Sequence, residues 1–341
     1  MTSPCNILIR TAGGIAPKKE LGFGHIYRSC NLAKNLKNQN FFFLIDNYDK
    51  AFELIKSYGF KKIFKIQKNL TVNNDYLKTK KIIEKEKIHL LIIDKYNLKK
   101  SYVKKLKKIV KIIVISDLYE TNYDSDILIN GFIGFPNQKI KKNNSTYFLG
   151  PNYQLINSDF LKLKKTKKLF DLLITFGGND ENDIILTFLQ SIEPLISKMK
   201  IKIILGPGTK KTKQIRKYEK LYRNNLVIVQ KTNNMSNEIQ KSKFGLCSGG
   251  ITSYEFAACR VPFGIISQVE HQLITAKIWD TKRIGKNLGL INNKTPSKIV
   301  NYIEQVVLSN NYSQTPKIID GKAIHRISKI IHSELFNNDY M

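Results

Sequence analysis

The sequence has no long uninterrupted run of apolar residues. Its longest apolar stretch, residues 109–115, is broken by Lys111, whereas a helix that spans a bilayer needs about 20 apolar residues. Residues 1–10 also lack the charged-then-apolar order of a secretory signal and continue directly into a strand-like segment. These absences exclude a membrane-spanning helix and stable membrane insertion, and we expect a cytoplasmic protein.

Cysteine is scarce, with four residues in 341 and none in a C-x-x-C pair. No pair of histidines or cysteines has the spacing of zinc ligands, so the sequence predicts no metal site. The cysteines lie in apolar or helical surroundings, which favours reduced and buried thiols. We expect no metal and no cofactor.

Acidic residues are few, and the formal net charge is +30. Such a charge suggests nucleic acid or an anionic membrane when it is taken alone. However, lysine outnumbers arginine 50 to 7 and is scattered along most predicted helices, without interleaved aromatic residues. We therefore expect no nucleic-acid partner. A positive field also attracts a small anionic ligand.

Two common nucleotide-binding fingerprints are missing. No glycine-rich loop is followed by Gly-Lys-Ser/Thr, which excludes a Walker loop. The first predicted strand-to-helix turn, residues 22–27, has two of the three glycines of G-x-G-x-x-G but ends in Tyr27. A dinucleotide site of the common Rossmann type is therefore not predicted there.

Short β-branched runs alternate with helical patterns along the whole chain, which is typical of parallel sheets covered on both faces. The ten principal strand predictions are residues 7–10, 41–45, 90–94, 112–116, 127–130, 172–176, 201–205, 226–229, 244–247 and 263–266, and residues 147–149 are also strand-like. We expect an α/β fold of two Rossmann-like, doubly wound domains, residues 1–150 and 151–315, followed by a C-terminal helix within residues 316–341. Ligands of such sheets bind at the carboxyl ends of the strands, which predicts a site in the interdomain cleft.

The first chemical motif follows the first strand and opens a helix, with Gly22, Gly24, His25 and Arg28 in sequence. Glycines let backbone N–H groups approach a phosphate or a sugar. A histidine in the first helical turn tends to stay neutral, because the helix dipole disfavours its cation. A neutral imidazole can accept a proton as a general base. A capping or packing histidine is the equally weighted alternative.

The second motif is residues 175–180, at the next strand-to-helix junction, and includes Gly177 and Asn179. Paired glycines allow close approach of a ligand to the backbone. Ordinary turn chemistry, with Asn179 or Asp180 capping the helix, explains the same residues at least as well.

The third motif, residues 247–255, again joins a strand to a helix. Its N–H and hydroxyl groups can hold a pyrophosphate at the helix N-terminus. Glu255, one turn into the helix, can accept both hydroxyls of a ribose. Thr252 and Glu255 also have the spacing of a capping box, and the two interpretations are compatible.

Polar residues follow three further strands. Asp94 and Asp117 end predicted strands and are candidates to face a ligand, although turn and helix capping explains them better when no other support is considered. Residues 270–272, which include His271 and Gln272, can bind a sugar or a phosphate or can simply begin a helix.

Taken in order, the motifs G-F-G-H-I-Y-R-S, I-D-K-Y, I-S-D-L, L-G-P-N-Y, F-G-G-N-D, S-G-G-I-T-S-Y-E and V-E-H-Q cover nearly the whole chain. This order resembles the PseG family, the UDP-2,4-diacetamido-2,4,6-trideoxy-β-L-altropyranose hydrolases of the pseudaminic acid pathway. That family is similar to the GT-B glycosyltransferases, notably MurG, and to spore-coat polysaccharide proteins. The resemblance implies a GT-B fold and a UDP-sugar as the partner.

Matched residue by residue, the resemblance implies a catalytic role for His25 and a site tyrosine at Tyr96 with Asp94 beside it. It places the UDP contacts at Ser248, Gly249, Gly250, Ile251, Thr252 and Glu255. Gln272 matches the last motif, whereas His271 stands where the family usually has an asparagine. The implied reaction is attack of water on the anomeric carbon with inversion and release of UDP.

The first loop departs from the family, which usually has R-A-D-A-S where this chain has Arg10-Thr11-Ala12-Gly13-Gly14 and a longer segment, residues 15–20. This departure leaves the exact sugar open. A GT-B glycosyltransferase that delivers the sugar to an acceptor in surface polysaccharide synthesis is the principal alternative, and a non-catalytic binding protein is a second. We expect a monomer.

Overall fold

The structure is a computed structural model, and it describes residues 4–14, 22–161, 166–178, 180, 183–230, 232, 234–309 and 315–336. The chain divides into two compact units. The N-terminal unit holds residues up to 158 together with those from 321 onward, and the C-terminal unit holds residues 159–320. The observed division thus lies a few residues after the expected boundary at 150. The closing helix, expected as a separate C-terminal piece, belongs to the N-terminal unit.

The N-terminal unit is built on a sheet of eight described strands in the order β3-β2-β1-β4-β5-β6-β8-β7. Every pairing is parallel except that of β7 with β8. The strands are β1 (Asn6–Thr11), β2 (Asn40–Asp46), β3 (Ile63–Ile66), β4 (Leu90–Asp94), β5 (Lys111–Ser116), β6 (Ile127–Asn130), β7 (Gln138–Lys142) and β8 (Ser145–Leu149). The strand order reverses direction between β1 and β4, and ligand crevices of open α/β sheets lie at such a point.

Helices cover both faces of this sheet. They are α1 (Gly24–Asn35), α2 (Ala51–Ser57), α3 (Val72–Lys85), α4 (Lys100–Leu106) and, from the end of the chain, α11 (Ala323–Phe336). Alternate residues of the strands enter two separate cores. Ile9 and Ile92 pack with α1 and α11, while Leu8 and Leu91 pack with α3 and α4. Because successive side chains of a strand point to opposite faces, neighbouring residues at a strand end serve different sites.

The C-terminal unit has an all-parallel sheet of six described strands in the order β11-β10-β9-β12-β13-β14. These strands are β9 (Phe170–Thr175), β10 (Ile201–Leu205), β11 (Leu226–Gln230), β12 (Ser242–Cys247), β13 (Phe263–Ser267) and β14 (Gly285–Leu290). Its helices are α5 (Ile184–Ser191), α6 (Lys213–Leu221), α7 (Met235–Gln240), α8 (Ile251–Ala258), α9 (Glu270–Thr281) and α10 (Thr295–Tyr302). Here the strand order reverses between β9 and β12.

Helix α8 is buried on several sides, which fixes the loop that precedes it. Tyr254 packs edge-on against Trp279 of α9, with ring centroids 5.2 Å apart. Trp279 is fully buried and its indole N–H donates to Ser253 Oγ at 3.0 Å. The buried indole is therefore both packed and hydrogen-bonded, so the first turn of α8 and the last turn of α9 are held together.

The ten principal strand predictions each coincide with an observed strand, and the prediction of two parallel-sheet α/β domains is confirmed. The strand-like residues 147–149 lie in β8, and three strands were not predicted: β3, β7 and β14. Strand β7, with the sequence Gln-Lys-Ile-Lys-Lys, is exposed and pairs only at the sheet edge with β8. An edge strand buries little apolar surface, so its sequence carries lysines where an inner strand carries isoleucines.

Within the described residues, no helix is both long and apolar enough to cross a membrane. Among the same residues, no cluster of three or more histidine, cysteine or acidic side chains is arranged to hold a metal ion.

Candidate functional site

His25 is the second residue of α1, directly above the carboxyl end of the N-terminal sheet. The helix begins at Gly24, and its N-cap residue, Phe23, makes no side-chain capping bond. On the inner side of the helix, Ile26 and Cys30 are fully buried. Apolar packing therefore positions the first turn, while the side chain of His25 stays 23% exposed. His25 is not a capping residue here.

Asp94, the last residue of β4, lies beneath His25 and is fully buried. The Nδ1 atom of His25 is 2.7 Å from Oδ1 of Asp94. A carboxylate only accepts hydrogen bonds, so this contact favours the tautomer with the proton on Nδ1 and a lone pair on Nε2. The Nη2 atom of Arg28, which only donates, lies 2.9 Å from the same Nδ1 and favours the other tautomer. Among the described residues, no hydrogen-bond partner of Nε2 is found. The pair thus has the geometry of a general base oriented by a carboxylate.

Arg28, one turn further along α1, holds Asp94 in place. Its Nε and Nη2 atoms donate to the two oxygens of Asp94 at 2.7 and 2.6 Å. Its Nη1 donates to Asp117, at the end of β5, at 2.6 Å. Arg28 is only 4% exposed, so this two-point pairing takes place in a poorly hydrated environment where the ion pair is strong.

The charge state of Asp94 follows from these contacts. Burial by itself raises the pKa of Asp94, but the charges of Arg28 and His25 and their hydrogen bonds outweigh it and bring the pKa to about 2. Asp94 is therefore ionised at neutral pH. The same carboxylates raise the pKa of the Arg28 guanidinium against the opposing effect of its burial.

Thr11 is a polar residue of this site that the sequence did not single out. It ends β1 and is the register partner of Asp94 across the parallel pair. Its side chain is fully buried, and its hydroxyl has no hydrogen-bond partner within the described part of the chain. Leaving a buried hydroxyl unpaired costs about 1–3 kcal/mol. Thr11 stands where the resembled family has alanine, so comparison of that motif does not reveal it.

A second charged cluster lies on the opposite face of the same strands. Arg10 is completely buried and donates to Asp46 at 2.6 Å and to Asp75 at 2.9 Å. Lys95 joins the cluster 3.3 Å from Asp75. Burial and the nearby charge of Arg10 lower the pKa of Lys95, although both aspartates oppose this.

Tyr96 belongs to this second face. It lines a cavity of about 500 Å³ together with Asp46, Lys95 and Tyr102. Asp94 points instead toward α1 and is bound by His25 and Arg28. The structure therefore brings together His25, Arg28, Asp94 and Asp117, but it places Tyr96 in a different pocket of the same unit. Gly22, just before the helix, has open space where a side chain would be.

In the C-terminal unit, the loop after β12 leads directly into α8. Gly250 is the N-cap residue and the helix begins at Ile251. Thr252 and Glu255 therefore lie inside the helix, and the capping-box alternative is not formed. A Cβ atom on Gly249 would lie 2.6 Å from the carbonyl oxygen of Gln272, whereas one on Gly250 would meet nothing within 4 Å. Gly249 is required by packing, and Gly250 faces open space.

The loops after β9 and β10 lie against each other, and the loop after β9 also lies beside the loop after β12. Gly177 has a φ of +79° and lies beside Ser248, whose Oγ is 3.9 Å from the position of a Cβ on Gly177. On the other side, a Cβ on Gly206 would collide with the carbonyl oxygen of Gly177 at 2.0 Å. The sequence did not single out Gly206, because its requirement comes from a neighbouring loop and not from its own turn.

Two glutamines, Gln268 and Gln272, are hydrogen-bonded in the segment after β13, and one of them connects it to the loop after β9. The Nε2 of Gln268 donates to the carbonyl oxygen of Phe176 at 3.2 Å. Its backbone N–H donates to Oε1 of Gln272 at 3.0 Å. His271, next to Gln272 at the start of α9, is half-buried and has a partner of its own. Gln268 was not predicted, since no local motif marks it.

Glu255 is distinctive among these residues. Its side chain is half-buried, and burial raises its pKa to about 7. Among the described residues, no hydrogen bond or ion pair of its carboxyl group is found. A carboxyl group that is desolvated and lacks a partner is a functional-site candidate.

Asn179 lies outside the described residues. Its neighbour Asp180 accepts hydrogen bonds from the backbone N–H groups of Ile184 and Ile185 at 2.8 and 3.0 Å. The second motif therefore includes a residue that caps the start of α5, as its alternative interpretation predicted. None of the four cysteines, all of which are described residues, forms a disulfide, and burial raises the pKa of Cys30 to about 12.

The two parallel-sheet units define the fold as GT-B. MurG of Acinetobacter baumannii matches with a TM-score of 0.65 at 14% identity, over 97% of this chain and all of MurG. The UDP co-structure of MnaA from S. aureus matches at 0.61 and 12% identity, over 97% of both chains. The UDP-GlcNAc 2-epimerase of Neisseria meningitidis, bound to UDP-GlcNAc, matches at 0.57 and 11% identity, over 98% of this chain and all of the epimerase.

Two further proteins match the chain by sequence, at higher identity than these structures. The spore coat polysaccharide biosynthesis protein SpsG of Bacillus subtilis is 24% identical over 329 residues, which cover 92% of this chain and 94% of SpsG. An uncharacterized protein of Methanocaldococcus jannaschii is 26% identical over 284 residues, 78% of this chain. The matched segment is only 56% of that archaeal protein's length. No family model matches the chain.

Proposed function

We propose that this protein hydrolyses a UDP-sugar, with His25 as the general base that activates water. The observation that carries the proposal is the 2.7 Å contact between His25 Nδ1 and the buried carboxylate of Asp94. In the tautomer in which Nδ1 donates to this carboxylate, Nε2 is able to accept a proton. The proposed substrate is UDP-2,4-diacetamido-2,4,6-trideoxy-β-L-altropyranose or a related UDP-linked acetamido sugar, and the proposed pathway is pseudaminic or other nonulosonic acid synthesis.

In the proposed reaction, a water oxygen attacks the anomeric carbon while Nε2 of His25 takes one of its protons. The bond between the anomeric carbon and the UDP oxygen breaks, and UDP leaves with that electron pair. Attack opposite to the leaving group inverts the anomeric configuration. Asp94, ionised because its pKa is about 2, stabilises the imidazolium that forms.

The C-terminal unit is proposed to hold the UDP. The loop of Ser248, Gly249 and Gly250 precedes a helix without a side-chain cap, so the N–H groups of Ile251 and Thr252 are proposed to bind the pyrophosphate. Gly250, with open space at its Cβ position, lets these groups approach the ligand closely. Donors held in place before reaction stabilise the charge that develops on the leaving group.

Glu255 is proposed to bind the ribose. Its carboxyl group lies one turn beyond the glycine loop and lacks a partner among the described residues, so it is free to accept hydrogen bonds from two vicinal hydroxyls. The solved structures of similar fold that contain UDP or UDP-GlcNAc support a nucleotide-sugar ligand. The relative SpsG, named for spore coat polysaccharide biosynthesis, supports a place in sugar metabolism.

A glycosyltransferase is the second candidate. The similarity to SpsG and the fold of MurG both favour it, and an acceptor hydroxyl needs the same base and the same hold on UDP as water does. The two reactions differ in whether UDP is released when no acceptor is present.

Incubation of the purified protein with UDP-2,4-diacetamido-2,4,6-trideoxy-β-L-altropyranose in plain buffer separates the two. Proton NMR follows the anomeric signals of substrate and product while a coupled assay follows UDP. Hydrolysis predicts stoichiometric UDP and free sugar whose first-formed anomer is inverted. If the protein binds UDP but releases no UDP from this substrate, the hydrolase is rejected for this substrate and a transferase is favoured.

A further inference from the structure

Three aromatic side chains form a cluster at the carboxyl edge of the N-terminal sheet. We call Tyr119, Phe132 and Phe135 the aromatic platform; they lie in the loops that follow β5 and β6. The rings of Tyr119 and Phe135 are stacked, with centroids 6.2 Å apart and an interplanar angle of 15°. Phe132 packs edge-on against both, at 6.1 Å from Tyr119 and 5.4 Å from Phe135.

The platform is exposed on one side and anchored on the other. Tyr119 is 67% exposed, while Phe132 is 1% exposed. The buried side chain of Asn130 donates through Nδ2 to the backbone carbonyls of Leu118 and Glu120, on either side of Tyr119, at 2.8 and 3.2 Å. An aromatic ring whose backbone is held on both sides loses little conformational entropy when a ligand covers it.

The same loop carries a residue of the His25 network. Asp117 lies two positions before Tyr119, and its Oδ2 accepts the hydrogen bond from Arg28 at 2.6 Å. Arg28 Nη2 in turn lies 2.9 Å from His25 Nδ1. Within the described residues, no partner of Asp117 Oδ1 is found. The loop after β5 therefore carries both an exposed aromatic ring and a carboxylate that is connected through Arg28 to the proposed base.

We propose that the aromatic platform binds the pyranose ring of the substrate, which rests on the proposed function. The C–H groups on one face of a pyranose are apolar and slightly positive, and the face of an aromatic ring is negative, so the two attract. Asp117 Oδ1 accepts a hydrogen bond from a hydroxyl or amide N–H at the rim of the sugar. Tyr119 is thus a positioning residue that discriminates a UDP-sugar from UDP.

Calorimetric titration with UDP-GlcNAc and with UDP tests this for wild type, Tyr119→Ala and Tyr119→Phe. Loss of the ring is expected to weaken UDP-GlcNAc binding by roughly three- to tenfold, the size of one aromatic contact, and to leave UDP binding unchanged. The phenylalanine variant keeps the stacking face and is expected to bind as wild type does. With the turnover substrate, the alanine variant raises KM more than it lowers kcat.

Leu77→Ala is the matched control, because Leu77 is 52% exposed in the same unit but lies on α3. It is expected to change neither affinity. Equal UDP-GlcNAc affinity in Tyr119→Ala and wild type overturns the platform. A second outcome also overturns the platform as a sugar site: the sedimentation of wild type depends on protein concentration, that of Tyr119→Ala does not, and the two bind the sugar equally well. The exposed ring would then serve contacts between copies of the chain.

A third probe, methyl N-acetyl-β-D-glucosaminide, contains no nucleotide. It distinguishes failure of the proposed function from failure of the aromatic platform. If wild type binds no UDP, the proposed function fails, and saturation-transfer NMR with this glycoside decides the platform alone. Transfer to the sugar protons in wild type that is lost in Tyr119→Ala supports it. No transfer in wild type overturns it.

Discussion

His25 and Asp94 are 69 positions apart in the chain, yet Nδ1 of one lies 2.7 Å from Oδ1 of the other. The fold produces this contact by placing the first turn of α1 over the end of β4, at the point where the strand order reverses. The pair is poorly hydrated, and Arg28 closes it from the side. A base oriented in this way is the centre of the proposed chemistry.

Replacement of Asp94 by asparagine tests the orienting role. The neutral amide no longer stabilises the imidazolium, and it leaves the buried Arg28 with Asp117 as its one remaining carboxylate. We expect kcat to fall by about two to four orders of magnitude and the free energy of unfolding to fall by about 3–5 kcal/mol. Turnover and urea denaturation measure the two effects. Asp124→Asn, at a carboxylate 51% exposed and paired with Lys107, is the control and should alter neither.

The raised pKa of Glu255, about 7 because of burial, predicts a pH-dependent affinity. The ionised form accepts both ribose hydroxyls, so binding of UDP-GlcNAc should strengthen as pH rises from about 6 to about 8 and then level off. This ligand has no phosphate group that titrates in that range. Calorimetry at several pH values measures the effect. Affinity in Glu255→Gln should be weaker and flat with pH; a parallel rise in the variant would show that another group is responsible.

The two neighbouring glycines of the third motif should respond oppositely to alanine. Gly249→Ala brings a Cβ to 2.6 Å from the carbonyl oxygen of Gln272, so it should lower the free energy of unfolding by about 1–3 kcal/mol. Gly250→Ala meets nothing within 4 Å and should leave stability within about 0.5 kcal/mol. It should nevertheless weaken UDP binding, because the methyl group enters the space proposed for the pyrophosphate. Thermal melts with and without UDP distinguish the two, and a Gly250→Ala protein with full UDP affinity would contradict the proposed location.

The buried cluster around Arg10 should matter for stability and not for the chemistry. Burial tends to raise the pKa of Asp75, but Arg10 and Lys95 lower it overall. Its contribution is therefore present at neutral pH and is lost as pH falls below about 4 toward its folded pKa. Arg10→Met should cost about 3–5 kcal/mol at pH 7, since it leaves buried carboxylates with less compensating charge.

The deficit of Arg10→Met should shrink on acidification, because protonation of Asp75 removes the uncompensated charge. Urea titrations at pH 7 and at about pH 3, inside the window in which Asp75 becomes protonated, measure this change. Glu84→Gln removes one partner of the exposed pair Lys80–Glu84 and should cost less than about 0.5 kcal/mol at either pH. A deficit of Arg10→Met that is independent of pH would contradict the role assigned to Asp75.

The sequence predicted the features that depend on local order. The alternation of apolar runs predicted both sheets, and glycine-containing junctions predicted where His25 and the loop of Ser248 to Gly250 would lie. Features that depend on distant partners were not predictable. Arg10 meets carboxylates 36 and 65 positions away, and the constraint on Gly206 comes from the carbonyl of Gly177. Such contacts leave no periodic or adjacent signal in the chain.

Tyr96 shows a different limit. It follows Asp94 by two positions, and the motif comparison treated them as parts of one site. Alternation along a strand would place residues two positions apart on the same face. However, β4 ends at Asp94, and the backbone beyond the strand carries Tyr96 to the cavity that it shares with Lys95. Closeness in sequence at a strand end therefore does not establish that two residues act on the same ligand.

The most direct test of the central claim compares wild type with His25→Ala for UDP release from UDP-2,4-diacetamido-2,4,6-trideoxy-β-L-altropyranose, with no acceptor present. UDP affinity is measured in parallel by calorimetry. The proposed base predicts steady UDP release by wild type, a loss of turnover of at least about a hundredfold in the variant, and unchanged UDP affinity. Release of UDP at the wild-type rate by His25→Ala would contradict the assignment of His25 as the base.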